Sequence, residues 1–373
     1  MKATIRALGT EFQEILETFN VHNITSCGVS RTKHSPAQHA LLGLAAVLPF
    51  AAFIATLVLC CMHSSAKKRA REALLISREP PPVAASNNSV PTRLRRLEGK
   101  TVLVTGGTAG MGLEIALDLA HRGARVIIAC PFEEEGTNAR KQIVDETGNE
   151  NIVFKLLDLG SLKSVRKFAA DILKTEERLD VLINNAGIGV PGDFLTADGM
   201  NFIMQVNYYG TFLLCILLLP LLKKTGQPGE PARILLTTSL LHRFGQVDIN
   251  NLNKTDYWYK LQIYANSKLC LISIAMEMSK RLEGTNVVIN NVDPGAVGTK
   301  IFESGNKYVG YFLIVLINFL FKTTRQGAQT ALHVALDKKA GEVNGGYFQN
   351  CEISKAVKKA YCEKSSKMLW EES

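Results

Sequence analysis

The sequence predicts an α/β fold in which a doubly wound parallel sheet carries helices on both faces. Short runs of apolar and β-branched residues alternate with stretches of helical periodicity, which is typical of strand–helix–strand units. A glycine-rich turn joins the first run to the first helical stretch. Polar motifs follow the runs, at the carboxyl ends where sheets of this kind bind ligands.

The predicted strands follow one another through the middle of the chain. They are Lys100–Thr105, Arg125–Ala129, Val153–Leu157, Leu179–Ile183, Arg233–Thr237 and Val287–Val292. Helices are predicted between them, including Leu113–Arg122 after the first strand and Leu261–Met278 before the last. The apolar run Phe212–Leu222 is interpreted as a buried packing helix.

The first strand leads directly into Gly106-Gly-Thr-Ala-Gly110-Met-Gly112. A glycine turn between a strand and a helix lets the backbone approach a pyrophosphate, and the helix N-terminus favours its negative charge. A turn that merely packs is the alternative interpretation for this motif taken by itself. The polar motifs at the later strand ends favour a dinucleotide site.

Tyr264 and Lys268 lie four residues apart in a predicted helix and therefore share one of its faces. A free phenol has a pKa of about 10, too high for ready proton exchange at neutral pH. We expect the neighbouring ammonium to lower that pKa and to make Tyr264 a general acid/base. Because such a pair recurs in many helices, its meaning depends on the motifs that precede it.

Six motifs occur together in the order and spacing of the short-chain dehydrogenases/reductases, and the chain resembles that family from about Leu97 to Asn350. The motifs are Thr105-Gly-x-x-x-Gly-x-Gly112, Asn184-Asn-Ala-Gly187, Val206-Asn207, Ser239, Tyr264-x-x-x-Lys268 and Pro294-Gly295-x-Val297-x-Thr299. The resemblance implies a Rossmann-type sheet. Within the family the chain is most similar to the membrane-bound retinol dehydrogenases and the X-linked dehydrogenase/reductase branch.

The resemblance implies four catalytic residues. Tyr264 would exchange a proton with the substrate oxygen, and Ser239 would polarise the carbonyl. Lys268 would also hold the nicotinamide ribose, and Asn207 would hold a water in a proton relay to Lys268. Ser239 and Tyr264 would then supply hydrogen-bond donors where negative charge develops during hydride transfer.

The resemblance also implies cofactor contacts at several strand ends. The residues are Gly106, Thr108, Gly110, Met111, Gly112, Cys130, Asp158, Leu159, Asn185, Ala186, Gly187, Tyr264, Lys268, Pro294, Gly295, Val297 and Thr299. Asp158 would touch the adenine, and the stretch 185–187 the adenosine ribose. Val297 and Thr299 would bind the nicotinamide amide. No metal site is expected.

The end of the second strand bears on the choice of cofactor. NAD-preferring relatives place an aspartate there, and this chain has Cys130. The missing carboxylate favours NADP(H), although the next residue is Pro131 rather than the arginine of many NADP-preferring relatives. We therefore expect NADP(H) to be favoured, with NAD(H) or dual use left open.

The stretch Ala40–Met62 holds 23 residues without a charge. It is long enough to span a bilayer of about 30 Å, and a buried helix is the alternative. Arg31 and Lys33 lie within 20 residues before it. Five basic residues lie within 20 residues after it, namely Lys67, Lys68, Arg69, Arg71 and Arg78. This asymmetry predicts a cytosolic catalytic domain on a single-pass protein of the endoplasmic reticulum membrane.

Composition agrees with a membrane-associated protein of a reducing compartment. The net charge is +9 and no nucleic-acid-binding module is visible, so a membrane surface explains the basic balance better than nucleic acid. The eight cysteines show no metal-binding or disulfide spacing.

The predicted organisation has five parts. They are an N-terminal segment 1–39, the transmembrane helix 40–62, a basic and proline-rich linker 63–97, the dehydrogenase/reductase domain 98–350 and a C-terminal tail helix 351–373. In the tail, Ile353, Val357 and Tyr361 share a helical spacing, which predicts a solvated helix. The run Tyr308–Phe321 is too short for a comfortable span and could line a substrate pocket, enter the bilayer or pack in the core.

These observations predict a membrane-anchored, NAD(P)-dependent oxidoreductase that interconverts a lipophilic alcohol and its carbonyl compound. By resemblance, retinoids rank first as substrates, and polyprenyl compounds and steroids follow. The alternative is a non-catalytic dinucleotide-binding membrane scaffold or sensor. Homo-oligomer formation is left open.

Overall fold

The computed structural model describes residues 97–189, 194–255, 261–295, 297 and 322–373. The segment 1–39, the span 40–62 and the linker as far as residue 96 lie outside the described residues, as do the apolar run 308–321 and Thr299. What the sequence predicts for them stays a prediction.

An eight-stranded sheet in the order β3-β2-β1-β4-β5-β6-β7-β8 forms the centre of the described structure. Its strands are β1 Thr101–Thr105, β2 Arg125–Cys130, β3 Ile152–Leu156, β4 Val181–Asn184, β5 Ala232–Thr237, β6 Val287–Asp293, β7 Tyr347–Gln349 and β8 Glu352–Ser354. All neighbours pair in parallel except β7 and β8, which are antiparallel. The predicted doubly wound sheet is confirmed, whereas β7 and β8 were not predicted.

Helices cover the sheet on both sides. They are α1 Gly110–His121, α2 Glu133–Thr147, α3 Leu162–Thr175, α4 Gly210–Thr225, α5 Leu261–Arg281, α6 Thr324–Leu336, α7 Lys338–Glu342 and α8 Glu363–Glu372. Successive residues of β1 point to opposite faces, so Leu103 joins a core with α3, α4 and α5, while Val102 and Val104 join a core with α1 and α6. Burial on both faces explains why the strand sequences are continuously apolar.

A long apolar helical stretch, Phe202–Thr225, packs inside the protein. It contains a first turn, a π-helical turn at Gln205–Tyr209 and α4. It is the described helix whose length and composition would allow it to cross a membrane, with a mean hydropathy of 1.8, and 72% of its most apolar part is buried. The prediction that Phe212–Leu222 forms a buried packing helix is confirmed.

The prediction of one helix through Ile353, Val357 and Tyr361 is wrong. Ile353 lies in β8, which pairs with β7 across a turn where Asn350 and Cys351 have positive φ angles of 57° and 60°. Lys358–Tyr361 forms a short 3₁₀ turn. Backbone pairing with the sheet edge therefore prevails over the helical spacing of the side chains, and the hairpin crosses the predicted domain boundary at residue 350.

The helix of the tail begins later, at Glu363, and it packs against the core rather than standing in solvent. Leu369 is fully buried. The Trp370 ring meets Phe212 edge-on at 5.3 Å, and the Arg281 guanidinium lies 4.2 Å from the centre of the same indole. The last residues of the chain thus complete the surface of α4 and α5.

Candidate active site

The glycine turn after β1 is closed against its own backbone. Gly106 has a φ of +63°, which an L side chain rarely adopts. A Cβ on Gly112 would lie 2.0 Å from the Gly106 carbonyl oxygen and 2.6 Å from Nδ2 of Asn185. The turn can therefore hold only glycine at this position. The turn contains Thr108 and leads into the N-terminus of α1, whose first two residues are Gly110 and Met111.

The stretch after β4 is fastened to this turn. Asn185 Nδ2 donates to the carbonyl oxygens of Thr105 and Gly106, each at 3.3 Å. The Ala186 amide donates to Oγ1 of Thr105 at 3.1 Å. Because β1 and β4 are neighbours, these bonds hold the glycine turn and the 185–187 stretch together at the point where the strand order reverses, which is where such sheets bind ligands.

Cys130 is the last residue of β2, as the sequence predicts. Its side chain is buried and its Sγ lies 3.1 Å from the carbonyl oxygen of Phe132. Asp158 is exposed just beyond β3, and its Oδ1 accepts from the Gly160 amide at 2.8 Å. The Leu159 side chain belongs instead to the hydrophobic core.

Ser239 and Tyr264 come together from two elements. Ser239 follows β5 and caps a short 3₁₀ turn, where its Oγ accepts from the Leu241 amide at 3.3 Å. Tyr264 projects from the first turns of α5, close enough to the Ser239 side chain for that hydroxyl to act on the pKa of the phenol. Two hydroxyls thus meet at the carboxyl end of β5, where both can contact one oxygen atom of a substrate.

Lys268 lies behind this pair, one helical turn along α5. Its side chain is 3% exposed, and its ammonium donates to the Thr237 carbonyl oxygen at 3.0 Å. The same nitrogen lies 5.7 Å from the centre of the Tyr264 ring. A Cβ placed on Gly187 would be 3.2 Å from it and 3.4 Å from Oδ1 of Asn207. Lys268 and Asn207 therefore both lie against Gly187.

Asn207 sits in the π-helical turn Gln205–Tyr209 and is fully buried. Its Oδ1 accepts from the Ile188 amide, and its Nδ2 donates to the Ile188 carbonyl, both at 2.9 Å. Nδ2 also donates to Ser267 Oγ at 3.1 Å. The π turn shifts one side chain out of the regular helical phase, a device that is frequent at functional sites.

Burial changes the proton affinity of both groups on α5. It raises the pKa of Tyr264 to about 12, against the lowering effect of the Ser239 hydrogen bond. It lowers the pKa of Lys268 to about 8. The sequence-based expectation of a lowered phenol pKa is therefore wrong for this arrangement, because desolvation outweighs the attraction of an ammonium 5.7 Å from the ring. At neutral pH the Tyr264 phenol therefore carries its proton.

The turn after β6 carries the remaining motif. The Gly295 amide donates to Oδ1 of Asp293 at 2.8 Å, and Gly295 has a φ of +79° that suits glycine. Val297 is buried and forms an isolated parallel bridge with Lys322. This turn and Pro294 lie beside the glycine turn, since Met111 and Pro294 line one small cavity.

The same cavity holds buried polar atoms, and the glycine turn beside it bears on whether these residues suit a dinucleotide. Three polar atoms on its lining residues are buried without a hydrogen-bond partner in the described part of the chain: Asn185 Oδ1, Thr237 Oγ1 and Thr330 Oγ1. Buried polar atoms normally have a partner. The cavity is water-sized, so these atoms suit a bound water. The feature that fits a dinucleotide is the glycine turn, where backbone is closed against backbone at the start of α1. In the described ranges no cluster of three His, Cys, Asp or Glu residues could hold a metal ion.

Sequence reasoning missed three residues behind the site: His242, Asp293 and Tyr347. Asp293 was visible as the residue before the Pro-Gly motif, and its place at the end of a buried strand was the signal. His242 and Tyr347 offered no motif, because their proximity to the site depends on the packing of the unpredicted strand β7.

Comparison with known proteins agrees with this geometry. The family model for the short chain dehydrogenase matches residues 100–309. Dehydrogenase/reductase SDR family member 13 of Bos taurus is 38% identical over 286 residues, 75% of this chain and 74% of the relative. Human retinol dehydrogenase 11 is 37% identical over 286 residues, 77% of this chain and 88% of the relative.

Solved structures share the fold at lower identity. A putative uncharacterized protein from Mycobacterium paratuberculosis aligns with a TM-score of 0.59 at 24% identity, over 77% of this chain and 96% of that one. The Pseudomonas aeruginosa RhlG/NADP complex aligns with a TM-score of 0.53 at 23% identity, over 68% of this chain and 95% of that one.

The chain belongs to the short-chain dehydrogenase family and is an NAD(P)-dependent oxidoreductase of alcohols and carbonyl compounds. Within that family, its similarity to the retinol dehydrogenases places it in their branch.

Proposed function

We propose that this protein interconverts a lipophilic alcohol and its carbonyl compound, with Tyr264 as the acid/base. The observation that carries the proposal is the approach of the Ser239 side chain to the Tyr264 phenol at the end of β5, with the Lys268 ammonium buried behind them. The relatives named for retinol support a retinoid as the first candidate. Polyprenyl compounds and steroids follow.

The residues divide the work of a carbonyl reduction between them. When bound, the nicotinamide dinucleotide supplies the hydride, and it accepts one in the reverse direction. Tyr264 donates its phenolic proton to the substrate oxygen in reduction and takes it back in oxidation. Ser239 donates a hydrogen bond to the same oxygen, where negative charge develops.

Lys268 and Asn207 restore the proton that Tyr264 gives up. The pKa of Lys268, lowered to about 8 by burial, brings its ammonium within reach of proton exchange near neutral pH. Asn207 Oδ1 lies against the same face of Gly187 as the Lys268 ammonium, and we infer that a water held beside them continues the relay. The Lys268 ammonium would also hold the ribose hydroxyls of the dinucleotide.

We infer that the remaining contacts hold the dinucleotide along the strand ends. The turn 106–112 would take the pyrophosphate, Asp158 the adenine and Val297 with Thr299 the nicotinamide amide. NADP(H) is favoured, because Cys130 places no carboxylate beside the adenosine ribose. NAD(H) is the alternative, supported by three exposed glutamates, 133–135, in the first turn of α2.

The test is a substrate panel run with purified protein. Retinoid, polyprenyl and steroid alcohols and carbonyl compounds are each assayed with NADP(H) and NAD(H). Turnover of one lipophilic pair that disappears in Tyr264→Phe is the expected result. Dinucleotide binding without turnover of any compound would favour the scaffold or sensor instead.

We further propose that the uncharged stretch 40–62 anchors the enzyme in the endoplasmic reticulum membrane with the catalytic domain in the cytosol. The sequons at Asn23 and Asn253 lie on opposite sides of that stretch. An endoglycosidase-sensitive shift that disappears in Asn23→Gln is expected. A shift that survives in Asn23→Gln and disappears in Asn253→Gln would place the catalytic domain in the lumen.

A further inference from the structure

Tyr347, on the strand β7, contacts two residues that each hold one wall of the site. Its side chain is 2% exposed. Its hydroxyl donates to Oδ2 of Asp293, and its ring meets the His242 imidazole edge-on with 5.4 Å between centres. Neither Tyr347 nor these two partners has a role in the mechanism above.

Asp293 holds the Pro-Gly turn. It is fully buried at the end of β6, and its second carboxylate oxygen accepts from the Gly295 amide at 2.8 Å. A buried carboxylate is stable only when its oxygens are hydrogen-bonded. Burial raises the pKa of Asp293, and the bonds from Tyr347 and Gly295 act against that rise. The Tyr347 hydroxyl therefore helps keep this carboxylate charged and in place beside the turn.

His242 holds the other wall, the turn that begins at Ser239. Its Nδ1 lies 2.7 Å from the Ser239 carbonyl oxygen, and its Nε2 lies 3.2 Å from the Val357 amide nitrogen. A backbone amide can only donate, so Nε2 accepts, and the imidazole is neutral with its proton on Nδ1. Burial agrees with this form, since it lowers the pKa of His242 to about 4.

We propose that Tyr347 is a positioning residue that keeps the Ser239 turn and the Pro294–Gly295 turn in register, through His242 and Asp293 respectively. This inference rests on the proposed function, because the two turns are the walls between which substrate and nicotinamide would meet. It extends that function by assigning a task to a residue outside the family motifs.

The Asp293 charge also reaches the acid/base pair. It raises the pKa of both Tyr264 and Lys268. The other titratable groups that face this carboxylate are Tyr347, Lys322 and Arg243. Replacing Asp293 with asparagine removes the charge and keeps an acceptor for the Gly295 amide. The pH at which Tyr264 loses its proton should therefore fall in Asp293→Asn.

The experiment measures dinucleotide affinity of the purified full chain by calorimetry, so that it needs no substrate. Tyr347→Phe keeps the ring against His242 and removes only the donor to Asp293. Dinucleotide affinity should fall about tenfold, the usual scale for a lost hydrogen bond to a charged group. Tyr361→Phe is the matched control, because its hydroxyl accepts from the Ala356 amide rather than donating to Asp293, and affinity should stay at the wild-type value.

A double-mutant cycle separates positioning from general stability. In the proposal the Tyr347 hydroxyl acts by donating to the charged Asp293 carboxylate. Adding Tyr347→Phe to Asp293→Asn should therefore lower dinucleotide affinity little further. The pH profile of any turnover found in the panel should move to lower pH in Asp293→Asn. Unchanged affinity in Tyr347→Phe, or losses that simply add in the double variant, would overturn the proposal. Absence of turnover with every substrate would overturn only the proposed function.

Discussion

Two sides of the site are built in different ways. On the glycine-turn side, formed by 106–112 and 185–187, the binding surface is backbone, and close contact between backbones excludes side chains. On the catalytic side, formed by Ser239, Tyr264, Lys268 and Asp293, the surface consists of polar side chains, and all but the half-buried Ser239 are enclosed by protein. In the proposed function, the first side would recognise shape and phosphate charge, and the second would set proton affinities.

The difference determines what each side tolerates. Backbone amides do not titrate, so the glycine-turn side is sensitive to volume and insensitive to pH. Enclosed ionisable groups pay a desolvation cost in their charged form, and each therefore needs a specific partner. Lys268 has the Thr237 carbonyl, and Asp293 has Tyr347 and the Gly295 amide.

The largest expected effect lies on the catalytic side. Tyr264→Phe removes the proton donor and keeps the ring, so turnover should fall at least about a hundredfold while dinucleotide affinity stays near the wild-type value. Steady-state kinetics and calorimetry measure the two quantities separately. Wild-type turnover in this variant would remove Tyr264 from the mechanism.

Gly112→Ala is the matching change on the glycine-turn side. Its Cβ would lie 2.0 Å from the Gly106 carbonyl oxygen, so the turn must open. Dinucleotide affinity should fall at least about tenfold, and turnover at saturating cofactor should fall less. Gly284→Ala is the control for loss of a glycine as such, because Gly284 has nothing within 4 Å of the added carbon and lies outside the turn. Equal losses of affinity in both variants would argue against a specific role for the turn.

The pH dependence of stability should come from the catalytic side. The pKa of His242 is lowered from 6.5 to about 4, so between these values the unfolded chain binds the proton and the folded chain does not. The stabilising contribution is complete above pH 6.5 and is lost as the pH falls toward 4, by at most about 1.4 kcal/mol per pH unit.

Urea unfolding at pH 6.5 and 5.5 tests this slope. The change in the free energy of unfolding between these two pH values should be smaller in His242→Gln. It should remain at the wild-type value in His121→Gln, which changes an exposed histidine at the end of α1. An unchanged slope in His242→Gln would show that other groups cause the acid sensitivity.

The smallest expected effect concerns the adenosine end of the glycine-turn side. Cys130→Asp should shift the ratio of kcat/KM values toward NAD(H) through repulsion of the 2′-phosphate, and Pro131→Arg should shift it toward NADP(H). Changes of several-fold are expected, since about 1 kcal/mol corresponds to a factor of about five. If neither variant changes the ratio, the adenosine ribose does not lie at the end of β2.

Much of the fold followed from local pattern. The six predicted strands lie within two residues of their observed bounds, because burial on both faces requires continuous apolar runs. The tail was predicted wrongly, since Ile353, Val357 and Tyr361 have helical spacing but Ile353 pairs in β8. Short edge strands depend on a neighbouring strand, and three residues carry too little periodicity to reveal it.

The sequence by itself determined the class of fold, the positions of six of the eight strands of the described sheet, the glycine turn and the identity of the acid/base candidates, because these depend on local spacing and on strand ends that meet at one edge. Only the tertiary structure decided the proton affinities. Enclosure raises the pKa of Tyr264 and lowers that of Lys268, the reverse of the shift expected for the phenol from its neighbouring lysine. The tertiary structure also places Tyr347, on β7, in contact with Asp293 and His242. Desolvation and long-range packing depend on everything that surrounds a side chain, and no local motif records them.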